Sequence, residues 1–296
     1  MLLEWGMSPS LINVRRPVRQ LAGIVITSPH SGRGYSPEFL ASSRLTAETI
    51  RGSEDSFVDE LFAMAPALGL PLLSAEFPRA WCDVNREPWE LDPAMFADPL
   101  PDYVNTTSPR VAVGLGTIAR VVGTGEPIYA RKLLFEEARS RIETCWHPFH
   151  EALTGLIDES RKTFGYCFVL DCHSMPTPIG RLSRRPEIVL GDGHGASCGA
   201  AWTRHVEMFF QNQGFSVSRN DPYAGGFITR HYGCPDNGVQ VMQVEIARNL
   251  YMNERQFTRK PSFEMVSRRM GELMKQMIAT IQHWGELGPR FNEAAE

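Results

Sequence analysis

Two apolar runs in this 296-residue chain each deliver a histidine: Gly23-Ile-Val-Ile-Thr-Ser-Pro-His30 and Tyr166-Cys-Phe-Val-Leu-Asp-Cys-His173. Between them lies Gly52-Ser-Glu54-Asp55-Ser-Phe-Val-Asp-Glu-Leu61. Taken alone, Glu54 and Asp55 read as ordinary acids in a first helical turn, where the helix dipole favours negative charge, with Ser53 as N-cap. For each histidine alone, the bland reading is an imidazole bonded to backbone at a strand end. Together the three positions supply something more specific. Two imidazoles and one carboxylate, with one coordination position left for water, form the ligand set of hydrolytic zinc sites. His30, His173 and either Glu54 or Asp55 are therefore candidate zinc ligands.

A second carboxylate, Glu245, interrupts the strand-like run Val239-Gln-Val-Met-Gln-Val-Glu-Ile246. Burying a carboxylate costs several kcal/mol unless it is paired or used. The structural alternative is an ion pair with Arg248 or another arginine. The functional reading is a general base that takes a proton from the attacking water and hands it to the leaving amine. Arg86, after Asn85, and Arg230, after Gly225-Gly226, offer guanidinium forks suited to a substrate carboxylate or to an oxyanion. His147 and His150 have a ligand-like i, i+3 spacing but no obvious third ligand, and His194 reads as a loop residue. The Gly114-Leu-Gly116-Thr-Ile-Ala119 stretch matches G-x-G-x-x-A, so a nicotinamide-dependent oxidoreductase is a rival. Gly123, Gly125 and Pro127 interrupt the long helix such a loop requires.

The elements that must carry these residues alternate. Strands are expected near 23–28, 69–74, 166–171, 187–191, 215–219 and 239–246, and helices near 53–66, 127–163, 196–213 and 262–284. This pattern argues for an α/β fold, a three-layer αβα arrangement with a mixed, mostly parallel sheet. In such sheets ligands bind beyond the carboxyl ends of the strands, where both histidines emerge. Side chains alternate along a strand, so Cys172 should face away if His173 faces the crevice. The irregular stretch 77–126 has the composition of site-lining loops.

With 43% hydrophobic residues, the chain can bury one large core, read here as a single domain over 1–296. The net charge of −4 is spread along the sequence, with no basic block to follow a phosphate backbone, which argues against nucleic acid. No run approaches the ~20 apolar residues of a membrane span, and the amino terminus lacks a basic segment followed by an apolar one, so a cytoplasmic location is expected. Six cysteines without a C-x-x-C pair read as free thiols.

Beyond these readings, a series of segments in fixed order carries a resemblance. Ser28-Pro-His30-Ser-Gly32, Glu54-Asp55-Ser-Phe-Val-Asp-Glu-Leu61, Asp83-Val-Asn85-Arg86 and Leu170-Asp-Cys-His173-Ser174 come first; Gly225-Gly-Phe-Ile-Thr-Arg230-His231-Tyr-Gly233 and Val241-Met-Gln-Val-Glu245 to Met252 follow. Over roughly residues 20 to 280 the chain resembles the N-formylglutamate amidohydrolase family. The resemblance implies a zinc-peptidase-like (phosphorylase/hydrolase-like) fold and hydrolysis of the amide in N-formyl or other N-acyl amino acids, releasing formate from the formyl compounds. It implies one zinc ion, a small acidic substrate, Glu245 as the acid–base group, and Asn85, Arg86, Arg230 and His231 at the substrate. The family's carboxylate ligand matches Asp55, whereas related carboxypeptidases use a Glu soon after the first His. Asp55 is favoured and Glu54 stays the alternative. A non-catalytic binding protein on the same fold is the remaining reading; joint retention of metal, acid and arginine candidates argues against it.

Overall fold

The computed structural model describes residues 11–177 and 186–286. Among these, seven strands form one sheet: β1 (Ile12–Arg15), β2 (Ile24–Ser28), β3 (Leu72–Ala75), β4 (Cys167–Met175), β5 (Ile188–Gly191), β6 (Val217–Arg219) and β7 (Val239–Ala247). Their order is β1-β3-β2-β4-β7-β5-β6. The central pairs β3–β2, β2–β4 and β4–β7 are parallel, β1 and β5 add antiparallel to β3 and β7, and β6 lies parallel to β5. β2 and β4 are buried at every residue, as expected of strands covered on both faces.

Alternation along the strands sorts the core into two layers. Ile24, Ile26, Phe168, Leu170, Met242 and Val244 pack on one face against Val206 and Phe210 of a helix over Ala200–Asn212 and against Met270, Leu273 and Met277 of a helix over Phe263–Glu286. Val25, Val169 and Val241 pack on the other against Phe149, Leu153 and Ile157 of the helix His147–Phe164. The result is the three-layer α/β arrangement expected, with Cys172 on the first face. The cysteines are free; five are buried and Cys234 is exposed. No helix among the described residues is long and apolar enough to cross a membrane.

Two expected helices need correction, and one strand was not foreseen. The 53–66 helix is broken: Phe57 sits at a φ of 68°, helix forms only over Val58–Leu61, and Ser53 closes a 3₁₀ turn instead of capping. The 127–163 helix begins at Phe135, where the Glu137 carboxylate accepts from the Leu134 amide at 2.9 Å. It runs through a π turn at Ile142–Trp146 before His147–Phe164. Pro148 accounts for that turn, because a proline ring collides with the carbonyl four residues back in a regular α-helix. β1, short and only partly buried, carries no periodicity that a sequence reading could use.

Candidate active site

Register builds the site row by row on one sheet face. Val25, Val169 and Val241 stand abreast in the core; two residues on, Thr27, Asp171 and Gln243 form a polar row; two further, His173 and Glu245 stand side by side at the carboxyl ends of β4 and β7. His30 follows the end of β2, and its carbonyl accepts from the Asp55 amide at 3.0 Å, which draws the broken helical segment over the sheet.

His30, Asp55 and His173 converge, their donor atoms within 4.8 Å of one another and all buried. Asp55 Oδ2 lies 3.4 Å from His30 Nδ1 and 3.0 Å from His173 Nδ1. The far nitrogens are engaged elsewhere: His30 Nε2 with Asp83 Oδ1 at 2.7 Å and His173 Nε2 with Asp171 Oδ2 at 3.0 Å. A carboxylate can only accept, so each Nε2 carries a proton and donates it. Each Nδ1 lone pair then faces a carboxylate oxygen that also has only lone pairs, and His30 Nδ1 is buried with no hydrogen-bond partner. That arrangement is satisfied by a positive charge among the three groups. A divalent cation fits the donor set, and a carboxylate behind each imidazole is the usual support of metal-binding histidines.

Without a cation, a proton on His173 meets the same demand for positive charge. Burial opposes charge on His173, but Asp171 and Asp55 outweigh it and hold the imidazole well above its ordinary value. Burial likewise opposes charge on Asp55, yet His173 and His30 keep it well below the usual carboxylate range. Asp83 is also buried and held low, by Arg79, Arg86 and His30. Glu54 is turned away, bonded to Arg51 at 2.9 and 3.2 Å and to Ser56 at 2.6 Å.

Glu245 differs from these paired acids. It is buried and accepts from Gln243 Nε2 at 2.8 Å, and among the described residues it forms no salt bridge. Burial pushes its carboxyl up to about 7, the neighbouring His173 pulling the other way. The sequence-level pairing of Glu245 with Arg248 does not occur. Arg248 is instead bonded to Asp55 Oδ1 at 3.2 Å, because the 3₁₀ turn after β7 swings it toward the Asp55 segment.

Glu245, His30, His173 and Asp83 line a cavity of about 410 Å³, together with Arg79, Arg86, Arg110 and Arg248. The irregular 77–126 stretch supplies much of the wall. Arg86 is buried, bonded to the carbonyls of Leu115 and Asn85, with burial lowering it to about 10. Asn85 lines the cavity but spends its side chain on the protein: Oδ1 accepts from the Ile228 amide at 2.8 Å, and Nδ2 donates to Asp171 Oδ2 at 3.4 Å. Gly226 permits this approach, since a Cβ there would lie 2.3 Å from Asn85 Oδ1. Arg230 and His231 are not among the lining residues. Arg230 is exposed and reaches the Gly225 carbonyl at 3.4 Å; His231 is exposed and stacks on Phe227 at 4.7 Å.

His150 is a structural residue, bonded to the Val84 carbonyl and the Tyr232 hydroxyl at 2.8 Å each, and burial lowers it to about 4. The 114–119 loop follows a short helix at Pro109–Ala112, not a strand, and a Cβ at Gly116 would lie 2.1 Å from the Glu90 carbonyl. Gly116 thus serves close packing of the backbone, and no helix starts there to receive a pyrophosphate. Sequence reasoning missed Arg79 and Arg110. It also gave no role to Asp83 and Asp171, although Asp171 could have been found from its place two residues before His173 on the same strand face.

Residues 22–252 match the model of the N-formylglutamate amidohydrolase family. The chain is similar to the N-formylglutamate deformylase of Pseudomonas putida, 28% identical over 268 residues, covering 88% of this chain and 93% of that protein. A similar relative in Pseudomonas aeruginosa, also an N-formylglutamate deformylase, is 26% identical over the same shares. Among solved structures, the N-formylglutamate amidohydrolase from Ralstonia eutropha JMP134 superposes with a TM-score of 0.87 at 32% identity, covering 93% of this chain and 99% of that one.

Proposed function

The chain belongs to the N-formylglutamate amidohydrolase family, and from that premise we propose that it is a metal-dependent amidohydrolase that cleaves the amide of N-formylglutamate into glutamate and formate, on a zinc-peptidase-like single domain. The observation that carries the metal requirement is the pair of imidazole Nδ1 atoms aimed at one Asp55 oxygen, with both Nε2 atoms committed to carboxylates.

His30, Asp55 and His173 would hold the cation, with zinc the favoured ion for this donor set; when bound it supplies Lewis acidity, polarising the formyl carbonyl and making water a nucleophile near neutral pH. Glu245 takes a proton from the water that attacks the formyl carbon and returns it to the departing amine. Its raised pKa suits both directions of transfer at neutral pH. Gln243 holds the Glu245 carboxylate by one oxygen and leaves the other free for this exchange. Arg86 in the wall and Arg110 at the rim supply charge for the two substrate carboxylates. Arg230 and His231, outside the lining, are assigned to the approach beside Gly225 instead of the grip itself.

The test joins metal analysis to a deformylation assay. The purified protein is expected to carry about one zinc per chain, to lose formate release on chelation and to regain it with zinc. Full activity after verified metal removal would sink the proposal.

A further inference from the structure

Asp55 uses its two oxygens for different purposes. Oδ2 faces the two imidazoles, whereas Oδ1 accepts from Ser174 Oγ at 3.0 Å and from Arg248 Nη2 at 3.2 Å. Arg248 is tied down in turn: its Nε donates to Ser174 Oγ at 3.1 Å and its Nη1 to the Gly52 carbonyl at 3.3 Å. The guanidinium and Asp55 are both buried. His173 and Ser174 are consecutive on β4 and point to opposite faces. Asp55 therefore straddles the strand end, one oxygen to each neighbour. β4 is held to β7 along its whole length and to β2 as far as Asp171, so these contacts add to a strand already fixed in the sheet.

We infer that Arg248 and Ser174 are positioning residues for the metal centre: by occupying Oδ1 they commit Asp55 to bind a cation through Oδ2 alone and fix the direction of that oxygen. The inference rests on the metal-dependent reading above. Two donors on Oδ1 resist a two-oxygen mode, which keeps coordination positions free for substrate and water. The anchor on Gly52 also clamps the turn that carries Asp55, so the oxygen is placed by β4, β7 and its own segment together. Partners of this kind govern metal affinity by orienting the ligand before the ion arrives.

Zinc affinity, measured by competition with a chromophoric chelator on the full-length apo-protein, tests this directly. Arg248→Ala should weaken zinc binding by about 10- to 100-fold, with Ser174→Ala toward the lower end and Arg248→Lys between wild type and Arg248→Ala. The visible spectrum of the cobalt-loaded Arg248→Ala protein should differ from wild type, reporting altered coordination. Unchanged zinc affinity in the folded variants overturns the assignment even if their melting temperatures fall, because that is the result a merely structural arginine gives. Should Arg248→Ala fail to fold, Ser174→Ala and Arg248→Lys decide. Failure of the wild-type chain itself to take up zinc removes the metal reading and this inference with it; zinc uptake by wild type with unchanged variants removes this inference alone.

Discussion

Glu245 is the residue on which activity and stability pull apart. Its carboxyl, raised from 4.5 to about 7 by burial, is protonated more easily in the folded state than in the unfolded one. Such a group costs stability progressively as pH rises from its unfolded value through its folded one. Glu245→Gln should therefore stabilise the metal-free protein at pH 8 by an amount on the order of 3 kcal/mol, a gain that vanishes below pH about 4.5. Denaturant titration at both pH values checks this. The same substitution should lower turnover by ~10² to 10⁴ while zinc content stays unchanged, the usual contribution of a positioned acid–base group. Arg86→Ala should raise KM for N-formylglutamate more than it alters metal content, since the charge-assisted fork is lost while the His30, Asp55 and His173 cluster keeps its contacts. An unaltered KM would place Arg86 outside substrate binding. His173 and Glu245 were legible in the sequence because each ends or interrupts an apolar run. The choice between Glu54 and Asp55 was not, because adjacent acids separate only when the backbone between them is known.

At the scale of elements, the π turn and the helix after it brace the loop that carries Asp83, Asn85 and Arg86. Trp146 Nε1 donates to the Arg86 carbonyl at 2.9 Å and His150 Nε2 to the Val84 carbonyl at 2.8 Å, from positions four apart on one helix face. Replacing His150 by Phe leaves the Val84 carbonyl buried without a donor. The expected cost is about 1 to 3 kcal/mol of stability together with a raised KM, both readable from thermal melts and initial rates. Loss of stability with an unmoved KM would limit His150 to packing. Long apolar strands and the amphipathic helices at 196–213 and 262–284 were legible from periodicity. The broken helix around Phe57 was not: its apolar spacing is helical, and the interruption arises because Asp55 is pulled onto His30 and His173. The partner of Arg248 was hidden for the same reason, since it depends on a turn and not on sequence distance.

For the molecule as a whole, the paired acids set the acid limit of the metal-free protein. Asp55 and Asp83, both held well below their ordinary value of 3.8, contribute stability above that pH and lose it as pH falls through their lowered values. His173 acts in the opposite sense: its contribution is complete below its ordinary value of 6.5 and is lost as pH rises through its raised one. Zinc binding only the folded state should add about 2.7 kcal/mol at a free concentration 100 times its dissociation constant, so the melting temperature should climb with zinc and fall with chelator. A melting temperature indifferent to both would count against a cation at the His30, Asp55 and His173 cluster.

The distribution of thiols gives the chain a built-in handle for chemical labelling. Burial raises the pKa of Cys82, Cys145, Cys167, Cys172 and Cys198 and keeps them as unreactive thiols, whereas Cys234 stands exposed just before β7. A maleimide dye should therefore modify one cysteine per native chain and all six after denaturation. A fluorophore placed there, two residues past the helix Phe227–Tyr232 that Asn85 caps, would report movement of the cavity wall without any engineered site.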